Sequence, residues 1–371
     1  MLKILLLGDY SGCHTTLAEG LRKLGHDVTV VSDGCSFMQI APDVMLSRRE
    51  GLVGGATYLA RVLMQLPRWR GYDVVQFVNP HFLSLRPGKL RWLFREIRRH
   101  NRHLSVTLCS EDTAFADALL NSDLFRFSEA RVGDVPTEFY RNNPRFFEDW
   151  LLPESADYQR EFYAGCDSMV AVLPEYAMAS ERRYPGKVFG GGIAIDLRKH
   201  PFTPLEIRGK VKVFLGYKSG LMQKKGADIL LGVLRELAAE LPDRMELVEV
   251  HDLPFDDYLR AMRGSHIVVD QLYAYSPATN ALNAMAMGKV VATGCEPEYL
   301  EWVRGTVDDV PIIPLRPTDA DLKSTFREFI LAPERLRGMG IAGRRLVEKN
   351  NEMTVVARKY VEAWKNSGLT C

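Results

Sequence analysis

A glycine-containing turn follows the first apolar run of the chain and is the first place where chemistry could occur. The turn reads GDYSGCH over residues 8–14, so Gly8 and Gly12 would let the backbone turn tightly and approach a ligand. His14, at the end of this turn, is a candidate catalytic side chain. The spacing differs from Gly-x-Gly-x-x-Gly and no Lys-Ser or Lys-Thr pair follows, which makes dinucleotide and ATP binding poor interpretations. A turn without a ligand explains the glycines equally well.

Two carboxyl groups, Glu111 and Asp112, follow the apolar run at residues 104–110. Ligands of α/β proteins bind at the carboxyl ends of strands, so either carboxylate could position an acceptor hydroxyl or act as a base. An alternative stays open, in which Ser110 or Asp112 caps the next helix and Glu111 lies in solvent.

Basic residues flank a strand–helix junction in the second half of the chain. Lys218 follows the apolar run at 211–216, and Lys225 stands beside Gly226 where the next helix is expected to begin. Lysines at such a junction can reach a diphosphate as point charges. A solvated lysine pair is the alternative.

A second candidate anion site lies in the stretch AYSPATNALNAMAMGKVVATG at residues 274–294. This stretch combines a polar turn, a helix of small residues and an apolar run. The turn would place free backbone amides at the start of the helix, where Ser276, Thr279 and Asn280 could hold a negatively charged group.

The elements that must position these residues alternate along the chain. Helical patterns separate most of the short apolar runs, which indicates parallel sheets with right-handed crossovers. We therefore expect an α/β protein of two Rossmann-like, doubly wound domains facing a cleft. The predicted strands lie at residues 3–8, 27–32, 73–79, 104–110, 168–173, 211–216, 245–250, 266–271, 289–294 and 310–315.

A stretch rich in Gly and Pro at 190–204 marks the expected linker between the domains. We expect residues 1–200 to form the first domain and residues 201–352 to form the second. A final helix over 353–371 is a candidate for crossing back to the first domain. Residues 116–165, rich in Phe, Tyr, Arg and Asp, interrupt the alternation. They are expected to form short helices on the cleft side of the first domain, either facing substrate or simply packing there.

Composition excludes several classes of protein. The 371 residues carry a formal net charge of +1 and 10% aromatic residues, which argues against disorder and against a general nucleic-acid binder. No apolar run reaches the roughly 18 residues that span a bilayer. The six cysteines include no CxxC pair, so we expect reduced thiols in the cytoplasm and neither a disulfide framework nor a metal site.

Positive charge is concentrated between residues 45 and 105. Lys89 and eleven arginines face only three acidic residues there, a local charge of about +9. The helix predicted over 88–102 would carry five of these arginines around an apolar face. Such a helix either has a solvated basic face or rests on anionic lipid headgroups at the inner face of a membrane. The arginines are Arg91, Arg95, Arg98, Arg99 and Arg102.

The order of the motifs in the second half resembles a known family. A Lys-Gly pair, a strand–helix–strand unit and then AMAMGKVV at 284–291 resemble the C-terminal half of GT-B glycosyltransferases, specifically glycosyltransferase family 4. GGIAIDLRKHPF at 191–202 and ERLRGMGIAGRRLVEKN at 334–350 are similar to further segments of that family. The resemblance implies retaining, metal-independent transfer of a hexosyl residue from a nucleoside diphosphate sugar, without a cofactor. The acceptor would be a saccharide or a lipid-linked molecule, as in cell-surface polysaccharide synthesis.

The resemblance also implies roles for the two domains and for individual residues. Residues 1–200 would bind the acceptor and residues 201–352 the donor, and Gly8 and Gly12 of the opening glycine turn are counted among the donor-binding residues. Lys225 falls at the donor-phosphate lysine of the family, and Lys218 could replace an arginine that the family has at Tyr217. Tyr275 and Asn283 stand where the family has two glutamates. Asn283 could keep part of a ribose contact, whereas a tyrosine does not mimic a carboxylate.

These departures leave two alternatives open. A catalytically silent homologue acting as a binding partner would explain the missing glutamates. A GT-B-fold sugar-nucleotide epimerase would share the architecture, but it should carry more carboxylates and histidines in its cleft.

Overall fold

The apolar runs form two parallel sheets, one in each of two units into which the chain divides. The computed structural model describes residues 1–34, 41–306 and 310–370. Unit 1 comprises Met1–Ala118, Arg145–Ala194 and Met353–Cys371, and unit 2 comprises Leu119–Pro144 and Ile195–Glu352. Strands and helices are numbered below in chain order.

The sheet of unit 1 has seven parallel strands in the order β3-β2-β1-β4-β5-β8-β9. The sheet grows in one direction from β1 to β3 and in the other from β4 onward, which is a Rossmann-like order. The strands are β1 (Lys3–Leu7), β2 (Asp27–Ser32), β3 (Val44–Met45), β4 (Val74–Phe77), β5 (His103–Leu108), β8 (Ser168–Ala171) and β9 (Val188–Gly190).

Helices cover this sheet on both sides. Ile4 and Leu6 belong to one apolar cluster with residues of α1 and α15. Elsewhere in unit 1 the ring of Phe77 in β4 packs against Phe94 of α3 and Phe162 of α7, with centroids 5.7 and 5.2 Å away. The helices are α1 (Cys13–Lys23), α2 (Gly51–Gln65), α3 (Pro87–His100), α4 (Thr113–Asn121), α6 (Arg145–Glu148), α7 (Pro153–Gly165), α8 (Pro174–Glu181) and α15 (Met353–Asn366).

Unit 2 has five parallel strands in the order β11-β10-β12-β13-β14. From β10 the chain adds β11 on one side and β12 to β14 on the other, so the strand order reverses between β10 and β12. We call such a point the sheet reversal of a unit. The prediction of an α/β fold with two Rossmann-like sheets is therefore confirmed. The strands are β10 (Val211–Tyr217), β11 (Met245–His251), β12 (Ile267–Val269), β13 (Val290–Thr293) and β14 (Ile312–Pro314). The helices are α9 (Ala227–Glu240), α10 (Phe255–Arg263), α11 (Thr279–Ala286), α12 (Pro297–Val303), α13 (Leu322–Leu331) and α14 (Glu334–Asn350).

The boundaries of the units differ from the expected ones. The chain enters unit 2 at Ile195 rather than at residue 201, because the Ile195 amide donates to the Asn351 carbonyl at 2.7 Å. The interrupting segment is divided, because Leu119–Pro144 belongs to unit 2 and not to the first domain. It contains an antiparallel hairpin of β6 (Arg131–Val132) and β7 (Val135–Pro136), followed by α5 (Glu138–Asn142).

The last helix, α15, is part of unit 1. It approaches α1 so closely that a Cβ on Gly20 would lie 2.2 Å from the Met353 carbonyl oxygen. Trp364 of α15 is buried and donates from Nε1 to Gln76 Oε1 in β4 at 2.9 Å. Within the described residues, no helix is long and apolar enough to span a bilayer.

Candidate functional site

The predicted glycine turn lies at the sheet reversal of unit 1, where a cavity of about 690 Å³ opens beside the residues that follow β1 and β4. Doubly wound proteins bind ligands outside the carboxyl ends of the strands at such a reversal. Gly8 has φ +79°, and a Cβ there would lie 2.4 Å from Val78 Cγ1, so only glycine fits. Polar and charged residues in the lining include Asp9, Tyr10, Asp33, Arg48, His81 and Ser84.

The Asp9 carboxylate in this turn is already engaged. Asp9 Oδ1 accepts a hydrogen bond from the His14 amide at 3.0 Å, and Oδ2 accepts one from the Thr15 amide at 3.1 Å. Gly12, with φ +77°, ends the turn before α1 begins. Asp9 therefore satisfies the amides at the start of α1, a position where a carboxylate is favourable.

Asp33, another lining residue of the cavity, also accepts hydrogen bonds from the protein itself. Its Oδ1 accepts from the Tyr58 hydroxyl at 2.5 Å, and its Oδ2 accepts from the Ser84 amide at 2.9 Å. Burial and the Asp33 charge raise the pKa of Tyr58, so this hydroxyl stays protonated and donates. Arg48 donates to the Ser84 carbonyl at 2.9 Å, and its guanidinium is the basic group in the lining.

His81 is a lining residue that the sequence analysis missed. Its buried Nε2 has no hydrogen-bond partner among the described residues. The imidazole packs against Trp150 with 4.8 Å between ring centroids, and burial lowers its pKa, so the ring is neutral near pH 7. A neutral imidazole nitrogen can exchange a hydrogen bond with a ligand hydroxyl. The signal in the sequence was its position just after a buried strand.

His14, predicted as a catalytic residue, lies under the turn rather than in the cavity lining. Its ring is fully buried, with Nδ1 2.8 Å from the Gly8 carbonyl oxygen and Nε2 3.1 Å from Thr107 Oγ1. Burial lowers the pKa of His14 to about 4. Both ring nitrogens thus serve to join the glycine turn to β5, and this placement counts against direct contact with substrate.

The two predicted carboxylates after β5 differ from each other. Asp112 is buried, with Oδ1 accepting from the Phe115 amide at 2.7 Å and Oδ2 accepting from the Tyr163 hydroxyl. Asp112 thus caps the start of α4, which is the alternative stated in the sequence analysis. Burial raises the pKa of this carboxyl group. Glu111 is only partly buried and accepts from the Ser110 hydroxyl at 2.8 Å. Of these two, Glu111 is the better placed to meet a substrate.

The arginines of α3 do not form an uncompensated basic face. Its four arginines, and Arg102 just after the helix, each pair with an acidic residue of unit 1, so the positive charge of these five side chains is largely balanced in the folded chain. The pairs are Arg91 and Arg95 with Glu161, Arg98 with Asp167, Arg99 with Glu96, and Arg102 with Asp73.

At the sheet reversal of unit 2, the structure brings together two of the predicted donor-binding residues. Lys225 Nζ lies 3.4 Å from Asp270 Oδ1, and Asn280 Nδ2 lies 3.3 Å from the same oxygen. Asp270 is buried directly after β12, and its Oδ2 has no partner among the described residues. The sequence analysis missed Asp270, although it is the first polar residue after the apolar residues Ile267–Val269 in the predicted strand at 266–271.

The backbone supports this cluster. Gly226, with φ +69°, begins α9 next to Lys225, and a Cβ there would lie 2.8 Å from Leu272 Cβ. The Leu272 amide donates to the Lys225 carbonyl at 2.9 Å, which fixes the lysine against the segment that follows β12.

The remaining predicted donor-binding residues have varied surroundings. Lys218, directly after β10, is exposed. Thr279 and Asn280 are the first residues of α11 and are partly buried, whereas Ser276 and Asn283 are buried. Within the described residues, no three His, Cys, Asp or Glu side chains lie close enough together to hold a metal ion.

Tyr275, which stands at a glutamate position of the resembled family, holds the segment Leu119–Pro144 on unit 2. Its buried hydroxyl accepts from the Arg126 amide at 2.5 Å, and its ring contacts Phe125 and Phe127 at centroid distances of 5.5 and 4.9 Å. The Arg126 guanidinium lies over the same ring, 4.8 Å from its centroid. This part of the segment expected on the first domain therefore lies on unit 2, whereas residues 145–165 of that segment belong to unit 1.

Ion pairs strengthen this attachment. Arg126 donates to Glu298 at 2.7 and 2.8 Å and to the buried Glu296 at 2.9 Å. The hydrogen bonds to Glu298 raise the pKa of Arg126, and those from Arg126 hold the pKa of Glu298 below its usual range. Arg316 pairs with the other oxygen of Glu296 at 2.5 Å, so neither oxygen of that buried carboxylate lacks a cation.

Solved structures with the same fold give these two sites a context. No protein-family model matches the chain, and no curated protein sequence matches it. A sucrose-phosphate synthase from Thermosynechococcus elongatus is 13% identical, with 98% of each chain covered and a TM-score of 0.60. HepE from Anabaena, solved in complex with UDP-glucose, is 14% identical, with 98% of this chain and 99% of that chain covered and a TM-score of 0.56.

A third structure is an α-glucosyltransferase in complex with UDP-glucose and DNA containing an abasic site. It is 12% identical, with 98% of each chain covered and a TM-score of 0.56. At these identities the likeness concerns the fold, and the coverage extends over both units. The chain described here therefore has the GT-B fold of these glycosyltransferases.

Proposed function

We propose that the protein is a glycosyltransferase that moves a hexosyl residue from a nucleoside diphosphate sugar to a saccharide or lipid-linked acceptor. The observation that carries this proposal is the Lys225–Asp270–Asn280 cluster at the sheet reversal of unit 2. It combines a cation suited to a diphosphate with a buried carboxylate, one oxygen of which has no hydrogen-bond partner among the described residues. The GT-B fold supports the proposal, because the similar structures include two solved with UDP-glucose.

In this mechanism the acceptor oxygen bonds to the anomeric carbon of the donor while the bond from that carbon to the diphosphate breaks. The leaving nucleoside diphosphate gains negative charge, which Lys225 and the backbone amides at the start of α11 would stabilise electrostatically. Asp270 holds Lys225 in place before the donor arrives. No protein nucleophile is needed, because the acceptor hydroxyl supplies the attacking oxygen and its proton leaves to a base.

Unit 1 would bind the acceptor in the cavity of about 690 Å³. His81 Nε2 offers a hydrogen-bonding group to a hydroxyl there, and Glu111 remains a candidate base after β5. The carboxylates of Asp9 and Asp33 are engaged in the protein's own hydrogen bonds. The cavity therefore suits a hydroxyl-rich group better than a cation.

Finer features of the proposal rest on the family resemblance. We propose retaining transfer without a metal ion or other cofactor, in the synthesis of a cell-surface polysaccharide. The protein would work in the cytoplasm, in peripheral contact with the inner face of an anionic membrane.

One observation favours a second candidate, a catalytically silent binding protein. Tyr275 replaces a family glutamate and is occupied in holding Arg126 and its neighbours. A carboxylate that the family places beside the donor is thus absent at this position, although Asp270 supplies another one nearby in unit 2.

Calorimetric titration and an assay of diphosphate release distinguish these functions. We expect a nucleoside diphosphate at about 100 times its Kd to stabilise the protein by roughly 2.7 kcal/mol. Release of nucleoside diphosphate from a nucleotide sugar, dependent on added acceptor, would support the transferase. Binding without turnover on any acceptor would contradict the transferase. Absence of nucleotide binding would contradict the donor site and would support the silent binding partner.

A further inference from the structure

Helix α2 of unit 1 is apolar on two opposite sides. Tyr58 and Val62 are buried toward the unit, as expected for a surface helix. Leu52, Val53 and Met64 are also apolar, but they are 96%, 78% and 65% exposed. A helix that is apolar all round normally has a partner on its second side.

The exposed residues form one continuous stripe. At about 100° per residue, positions 52, 53, 56, 59, 60, 63 and 64 fall within an arc of about 140°, on the far side of the helix from Tyr58 and Val62. All seven positions carry Leu, Val, Ala or Met. We call these residues the α2 stripe.

The α2 stripe continues onto α3 across a shallow apolar groove of about 280 Å³. Leu59 and Leu63 line the groove from α2, while Trp92 lines it from α3 with 47% of its surface exposed. An exposed tryptophan beside aliphatic residues is typical of surfaces that enter the boundary between lipid headgroups and acyl chains.

Beyond Glu50, which precedes α2, the charged residues of α2 and of the segment up to Arg70 are all positive. No acidic residue occurs between Glu50 and Asp73, whereas Arg61, Arg68 and Arg70 lie in that interval. Arg61 donates to the Ser47 carbonyl at 3.1 Å and Arg68 to Gln65 Oε1 at 3.2 Å, both neutral partners. Arg61 and Arg68 thus donate to neutral groups, whereas the arginines of α3 pair with acidic residues.

We propose that the α2 stripe and Trp92 dock the protein on an anionic lipid bilayer. Exposed apolar side chains would enter the acyl boundary, and the arginines would lie among anionic headgroups. A protein partner would need acidic groups and a matching ridge, and nothing in the structure selects one. The inference rests on the peripheral membrane contact of the proposed function and names the surface that makes it. Leu85 lines both the groove and the larger cavity, so a lipid-linked acceptor held in the bilayer would lie next to that cavity.

Vesicle flotation tests the surface directly. We expect the full chain to float with vesicles of equal parts phosphatidylcholine and phosphatidylglycerol, and less with pure phosphatidylcholine. The double variant Leu52→Glu, Met64→Glu should partition onto the vesicles roughly tenfold or more weakly than wild type. In wild type the two apolar side chains leave water on binding, and that gain is lost with glutamates. Leu331→Glu is the matched control, since Leu331 is an exposed apolar residue of unit 2 and its replacement should change nothing.

Two further measurements identify the contact. Quenching of tryptophan fluorescence by brominated lipids should decrease in Trp92→Phe, and Arg61→Gln with Arg68→Gln should weaken binding to anionic vesicles only.

Equal flotation of wild type and the double glutamate variant, or no flotation of wild type, would overturn the proposal. So would a wild-type dimer in solution that the glutamates convert to a monomer. Nucleotide titration of the same samples separates the two proposals, because vesicle binding without nucleotide binding supports the membrane surface and contradicts only the donor site.

Discussion

At the sheet reversal of unit 1 the carboxylates are already bonded to the protein itself, whereas at the reversal of unit 2 one oxygen of a buried carboxylate has no hydrogen-bond partner among the described residues. Asp9 and Asp33 accept hydrogen bonds from backbone amides and hydroxyls around a wide cavity. Asp270 instead meets Lys225 and Asn280, and within the part of the chain that the structure describes its Oδ2 has no partner. The same strand arrangement thus borders a cavity in one unit and holds a lysine against a buried carboxylate in the other.

This difference arises from the turns that follow the strands. In unit 1 a glycine turn carries its own aspartate, which satisfies the amides at the start of α1. In unit 2 the helix after β10 begins at Gly226 with no side-chain cap. Asp228 lies in the first turn of that helix, whereas the first turn of α11 has neither an acidic residue nor a side-chain cap and remains favourable for the phosphate groups of a ligand.

The largest expected effect concerns the segment that Tyr275 holds on unit 2. Tyr275→Ala removes a buried aromatic ring and should lower the free energy of unfolding of unit 2 by about 3–5 kcal/mol. Tyr275→Phe keeps the ring but leaves the Arg126 amide without its acceptor, at about 1–3 kcal/mol. Urea unfolding measures both, and limited proteolysis should cut 119–144 faster in the alanine variant. Equal stability of all three proteins would show that the segment is not held by this residue.

The next effect is a pH dependence that originates in unit 1. The folded pKa of His14 is about 4, below the roughly 6.5 of an unfolded histidine, so the unfolded chain binds a proton that the folded imidazole does not. This contribution to stability is present above about pH 6.5 and is lost as the pH falls toward 4, by about 3 kcal/mol in total.

Urea unfolding between neutral pH and pH 4 checks this prediction. His14→Asn should be less stable at neutral pH, yet it should lose less stability on acidification than wild type. His200, whose pKa burial also lowers to about 4, provides the corresponding His200→Asn comparison in unit 2. If His14→Asn kept the full acid sensitivity of wild type, the imidazole would be open to solvent and a direct catalytic role would regain support.

Strand positions and fold class could be predicted from the sequence because buried parallel strands are short apolar runs. Helix α2 could not, because its apolar residues lie on two sides and hide the one-sided periodicity of a surface helix. The attachment of 119–144 also escaped prediction. It depends on Arg126 meeting Glu298 and Tyr275, residues separated by more than a hundred positions in the chain.

The same distinction holds for the candidate site residues. Some were predicted from neighbours in the sequence, and the surroundings of others depend on residues far away in the chain. Lys225 and Asn280 were recognised because they adjoin the predicted start of a helix, and they do lie together in unit 2. The burial of His14 and the capping by Asp112 depend on Thr107 and Tyr163, which only the fold brings near. Asp270 and His81 each follow a strand and could have been found by examining the polar residues after every apolar run.

Lys225→Ala tests the proposed diphosphate site of unit 2. Loss of a charge-assisted bond to the diphosphate should weaken nucleoside diphosphate binding by about 1.5–3 kcal/mol. Stability should fall as well, because the buried Asp270 carboxylate loses the lysine that pairs with it. Lys224→Ala is the matched control, since Lys224 lies 3.6 Å from Glu129 and should affect nucleotide binding less. Calorimetry with both variants decides the assignment, and an unchanged affinity in Lys225→Ala would contradict it.

The smallest expected effect is at Asn283, one turn inside α11 and buried. An asparagine offers one carbonyl acceptor and one amide donor, whereas a carboxylate offers two charged acceptors to the hydroxyls of a ribose. We therefore expect wild type to bind its nucleotide only modestly and Asn283→Glu to bind it more tightly, by about 1 kcal/mol. Asn283→Gln is the control, because it has the reach of glutamate without the charge and should gain little. Titration of the three proteins with uridine and guanosine diphosphates measures the difference. An unpaired carboxylate in a desolvated place is costly, so weaker binding of every nucleotide by the glutamate variant would show that Asn283 has a partner other than ribose.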